Sequence, residues 1–151
     1  QVYKSVEWPV IVLLASVIPL GGALESNGTT SLIVSELTDF CVGLEPWLII
    51  SLLMILTMTL SDMLNNTATT IVIAPIGIKL AENLNMNSDT FLMAIAIAAS
   101  CAFLTPIGHK NNTIILGPGG YSFADYWRVG LPLECLILAV SVPTLLFFWP
   151  L

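Results

Sequence analysis

Two polar segments interrupt an otherwise apolar chain, and their residue types suit ion chemistry. The first is Ser61-Asp62-Met63-Leu64-Asn65-Asn66-Thr67-Ala68-Thr69-Thr70. The second is Thr105-Pro106-Ile107-Gly108-His109-Lys110-Asn111-Asn112-Thr113. Asn, Ser and Thr supply neutral donors and acceptors that need not titrate. Their oxygens, with backbone carbonyls freed at a helix break, suit a hard cation such as Na+. The free N–H groups of a helix N-terminus suit an anion. Unpaired backbone is costly in hydrocarbon, so such breaks persist only where they are buried in protein or line a cavity. Lys110 is an ammonium in an apolar setting. It either pairs with an oxyanion, or reaches water or an acid such as Asp62. His109 reads as a hydrogen-bonding loop residue, with proton sensing as its alternative role. Asp62 reads as a structural acceptor or a cation's neighbour.

The elements that hold these segments must sit in a membrane. Hydrophobic residues make up 56% of the 151 residues and charged ones 9%, where a soluble domain carries about 25% charged residues. Mean hydropathy is +0.92. This is the composition of an integral membrane protein, placed in an inner or plasma membrane, with lipid as its surroundings. Four basic residues against ten acidic ones exclude a nucleic-acid surface. One His, no metal-ligand spacing and no nucleophile–base pair argue against an enzyme. Cys41, Cys101 and Cys135 read as small hydrophobes without a disulfide framework.

The expected fold is all-α, with transmembrane helices, a re-entrant helical hairpin and a discontinuous, unwound helix. Residues 8–24 form a first span, anchored by Trp8. Residues 1–7, with Lys4 and Glu7 and no cleavage site after the apolar run, do not read as part of a signal peptide. Residues 29–40 form an amphipathic helix with Leu32, Ile33, Leu37 and Phe40 on one side. Residues 47–80 hold two apolar arms of roughly fourteen residues, about 21 Å each at the helical rise. Each arm is short of a core about 30 Å thick, so the pair reads as a re-entrant hairpin with Asn65-Asn66-Thr67 at its tip. Residues 90–116 form the broken helix, whose first half is rich in small residues that permit close packing. Residues 131–151 form the last span, with Glu134 near its start. The whole of 1–151 reads as one membrane unit of a longer transporter.

The residues of the first segment, followed by Ala74-Pro75, resemble the Ser-Asn-Thr hairpin motif of the divalent anion:sodium symporters. These are the sulfate, dicarboxylate and citrate carriers of the solute carrier 13 type. Ala99-Ser100-Cys101-Ala102-Phe103 with Pro106, then Asn112 and Gly117-Pro118-Gly119, resembles the unwound helix that follows. Arg128-Val129-Gly130 resembles the entry to the last span. The resemblance covers nearly the whole chain and corresponds to the C-terminal half of such a carrier, the second of its two inverted repeats. It implies a sodium ion held by Ser61, Asn66 and a carbonyl at Gly108. It implies an anion held by Asn65, Asn66 and Thr67, with His109 and Lys110 contributing. It also implies an elevator-type transport domain moving against a dimeric scaffold. Two departures stand out. Asn65 fills a position that is usually Ser, and His109-Lys110 stands where many dicarboxylate members have Thr-Pro. Pro106-Ile107-Gly108-His109 is closer to the sulfate-type branch.

The expected function is sodium-coupled uptake of a divalent anion, sulfate or dicarboxylate. The expected partners are the other inverted repeat and a second copy in a homodimer. The alternatives are a proton-coupled anion permease working through Asp62 or His109, and a membrane assembly subunit without a site of its own.

Overall fold

The computed structural model describes residues 26–64 and 66–151, together with Val12, Ala15, Ser16, Pro19 and Ala23. The span expected over residues 8–24 lies outside the described residues, apart from those five positions. Six helices have defined bounds among the described residues, and none of these residues is in a strand. They are α1 (Thr29–Cys41), α2 (Pro46–Met63), α3 (Asn66–Asn83), α4 (Ser88–Ala99), α5 (Lys110–Leu116) and α6 (Phe123–Phe148).

Local chemistry explains the boundaries. Pro46 occupies the first turn of α2, where its missing N–H costs nothing. The hydroxyls of Ser51, Thr57 and Thr59 donate to the carbonyls of Trp47, Leu53 and Ile55. These back-bonds hide polar atoms within an apolar helix. Asn87 caps α4 by accepting the Asp89 amide at 3.0 Å, which satisfies one orphan donor. The Ser122 amide and hydroxyl both donate to Asp125 Oδ2, at 2.8 and 2.6 Å. This local clasp starts α6 at Phe123, well before residue 131.

α4 is the centre of the packing. It lies against both α2 and α3, while α1 packs on α3 and α6 closes over α2 and α4. Its inward face is Phe91, Ala94, Ile95, Ala98 and Ala99, all buried. The alanines let neighbouring backbones approach closely. Gly77 of α3 does the same from the other side, because a Cβ there would collide with Ile95 Cδ1. Two helices, α2 and α6, are long and apolar enough to cross a membrane. At the helical rise they measure about 27 and 39 Å. Most of α6 is exposed, with Leu136, Val140, Phe147 and Phe148 facing outward.

Both breaks differ in extent from the sequence expectation. The arms over residues 47–80 are 18 residues each, not fourteen. Ser61 and Asp62 are helical in α2, and Asn66 to Thr70 are helical in α3. The Thr70 hydroxyl donates to the Asn66 carbonyl at 2.8 Å, while Asp62 Oδ2 and Thr69 Oγ1 are buried with no hydrogen-bond partner among the described residues. The second break starts earlier, at Ser100, and ends before Lys110. Pro106 lacks an N–H, and its ring excludes a helical carbonyl at Ala102, so the apolar Cys101-Ala102-Phe103-Leu104 stretch leaves the helix too. Lys110 to Thr113, read as part of the break, form the first turn of α5.

Candidate functional site

The site assembles where α2 ends, α3 begins and residues 100–109 cross them. Ser61 sits on the last turn of α2 and is fully buried. Its hydroxyl donates to the Ala99 carbonyl at 2.6 Å. The same oxygen lies 3.1 Å from Asn66 Oδ1, at the first residue of α3. One hydroxyl thus draws together the ends of three helices.

Gly108 completes the cluster from the non-helical segment. It is buried, and a Cβ built on it would lie 3.1 Å from the Ser61 carbonyl oxygen and 3.0 Å from Asp62 Cα. Its amide donates to Thr105 Oγ1 at 3.1 Å, and that hydroxyl donates to the Asp62 carbonyl at 2.7 Å. Asp62 Oδ1 accepts the Leu104 amide at 3.0 Å. Asn112 holds the segment's other side, donating to the Ala102 and Thr105 carbonyls at 3.0 and 3.2 Å. Those carbonyls are among the ones the proline break releases. The Thr113 hydroxyl donates to the Pro106 carbonyl at 2.6 Å.

The fold therefore brings Ser61, Asn66 and Gly108 to one place. Thr67 is exposed on the first turn of α3. Asn65 lies outside the described residues. His109 is half-buried and caps α5, its Nδ1 accepting the Asn111 amide at 3.2 Å. Lys110 opens α5 and is exposed. Asp62 takes backbone partners instead of Lys110 and acts as a structural acceptor.

Sequence reasoning left Glu134 at the edge of the last span. In the structure it lies about three turns into α6 and is 7% exposed. Its carboxyl abuts that of Asp62, which is 3% exposed, and also the Phe103 amide. Asp62 Oδ2 and Glu134 Oε1 are buried with no hydrogen-bond partner among the described residues. The Ser122 and Asp125 pair was the available signal. A helix started there places Glu134 deep within the apolar run.

A cavity of about 270 Å³ adjoins the cluster, lined by Phe103, Asn112, Ile115, Tyr126, Gly130 and Leu133. It is mainly apolar and touches neither Ser61 nor Asn66, so it is not the oxygen cluster itself. The described residues hold no group of three or more His, Cys, Asp or Glu that would bind a metal ion. The oxygens at Ser61, Asn66 and Ala99 are neutral, a set suited to a hard monovalent cation.

The family model of the sodium:sulfate symporter transmembrane region matches residues 2–151. The chain belongs to that family. It is 39% identical over 145 residues to an uncharacterized transporter of Synechocystis, covering 96% of this chain and 24% of the relative. It is 36% identical over 148 residues to an uncharacterized transporter of Escherichia coli, covering 98% and 24%. A sodium-dependent dicarboxylate transporter of Staphylococcus saprophyticus is 27% identical over 150 residues, covering 99% and 29%. The chain thus spans only about a quarter of the length of these curated relatives. This family member is an integral membrane protein, and its family is one of transporters, not enzymes.

Proposed function

We propose that this family member is the ion- and anion-binding part of a sodium-coupled carrier for a divalent anion, sulfate or dicarboxylate. The observation that carries the reading is the buried meeting of Ser61 Oγ, Asn66 Oδ1 and the Ala99 carbonyl at two helix interruptions. Gly108 is packed against the same point. In this reading Ser61, Asn66 and the Gly108 carbonyl hold Na+. Asn65, Asn66 and Thr67, at the N-terminus of α3, hold the anion, where backbone N–H groups favour negative charge. His109 and Lys110 complete the anion site from the neighbouring segment. Na+ bound at the shared Asn66 orders the start of α3 and so raises affinity for the anion, which is coupling in the thermodynamic sense.

In the same reading α2 and α3 form a re-entrant hairpin, and α4 and α5 form one helix unwound across residues 100–109. These elements move together as an elevator against a dimeric scaffold, and the other inverted repeat supplies the rest of the site. The sodium dependence of the Staphylococcus relative supports Na+ as the coupling ion.

The test is uptake of radiolabelled sulfate and succinate by the full-length transporter in proteoliposomes, with and without an inward Na+ gradient. Sodium-stimulated uptake of either anion is expected. Uptake that ignores Na+ and follows an imposed pH gradient would replace Na+ by a proton in the mechanism.

A further inference from the structure

Glu134 has no part in the reading above, yet α6 buries it against the segment that builds the site. Gly130 docks one turn earlier, where a Cβ would strike the Phe103 carbonyl. That close approach aims residue 134, on the same helix face, at the Phe103 amide and at Asp62. Asp62 in turn holds the Leu104 amide and, through its carbonyl and the Thr105 hydroxyl, the Gly108 amide. Asp62 Oδ1 accepts the Leu104 amide, and Glu134, from a helix far away in sequence, lies beside the preceding amide of the same non-helical segment. A buried carboxyl in an apolar helix is expensive to keep, and here its neighbours are backbone amides and a second acid.

We propose that Glu134 is a positioning residue for the cation site: with Asp62 it clasps the Phe103 and Leu104 amides and thereby sets Gly108 against Ser61. The proposal rests on the transport reading. It carries a specific expectation about side-chain chemistry. An amide at 134 still accepts the Phe103 N–H, and its NH2 donates to Asp62 Oδ2, so both orphaned oxygens are dealt with. Alanine at 134 removes the acceptor beside the Phe103 amide, while Asp62 keeps the Leu104 amide.

The experiment compares wild type, Glu134→Gln, Glu134→Ala and Cys135→Ser in the full-length transporter. Cys135 is the exposed neighbour of Glu134. Two measurements are made: the Na+ dependence of anion uptake, and hydrogen–deuterium exchange of the peptide containing residues 100–109. Glu134→Ala is expected to raise the Na+ concentration for half-maximal uptake about tenfold, the scale of one lost buried hydrogen bond. It is also expected to speed exchange in that peptide. Glu134→Gln should match wild type in both and melt no lower, and Cys135→Ser should match throughout. A residue that served only overall stability would lower the maximal rate and leave the Na+ midpoint unchanged. That result overturns the proposal, as does a Gln variant as impaired as the Ala one, which would make the carboxylate charge itself the requirement. If wild type shows no Na+-stimulated uptake, the transport reading fails. The clasp is then judged by exchange alone, and unchanged exchange in Glu134→Ala refutes it.

Discussion

Gly108→Ala tests the geometry of the site with one methyl group. The added Cβ would lie 2.8 Å from Ala102 Cβ, 3.0 Å from Asp62 Cα and 3.1 Å from the Ser61 carbonyl oxygen. None of these atoms can swing away, because each is backbone or fixed directly to it. Gly108 lies outside the left-handed region of φ, so alanine adds no backbone strain and the effect is purely steric. Restoring ordinary contact moves the segment away from Ser61 by several tenths of an ångström. Overpacking of this kind costs about 1–3 kcal/mol. If that cost falls on the cation-bound arrangement, Na+ affinity drops by about 5- to 150-fold. The assay is the Na+ concentration for half-maximal anion uptake by the full-length transporter, with thermal stability measured alongside. Gly117→Ala is the control, since a Cβ there meets nothing within 4 Å. A Gly108→Ala protein with wild-type Na+ dependence and wild-type melting would refute the close approach of this segment to α2.

Asn66→Ala removes the oxygen 3.1 Å from Ser61 and, in the proposed mechanism, a ligand shared by cation and anion. Binding of both is expected to vanish in equilibrium measurements on folded protein, and wild-type affinity for either would refute the shared role. Asn112→Ala frees the Ala102 and Thr105 carbonyls, at a cost of about 1–3 kcal/mol for groups left unsatisfied. The expected result is a lower melting temperature with faster exchange over residues 100–109, and an unchanged melting curve would show that the bridge contributes nothing.

Much of the site was legible because polar residues in an apolar chain advertise themselves. The resemblance to the symporter motifs implied Ser61, Asn66 and Gly108, and the fold packs Ser61 against the other two. The extent of the breaks was not legible. Ser61, Asp62 and Asn66 to Thr70 look helix-breaking by composition, but local and cross-segment hydrogen bonds keep them helical. Conversely, Cys101 to Leu104 look helical, and Pro106 takes them out of the helix.

Membrane residence follows from the sequence by itself, because 9% charged residues cannot clothe a water-exposed surface. So does the character of the two polar segments, since neutral oxygens suited to a cation are a property of residue type. The pairing of Asp62 with Glu134 belongs to the tertiary structure alone. Like-charged side chains carry no complementary pattern that could announce their contact. Only the docking of α6 on the Phe103 backbone, through the missing side chain of Gly130, puts the two carboxyls against one non-helical segment.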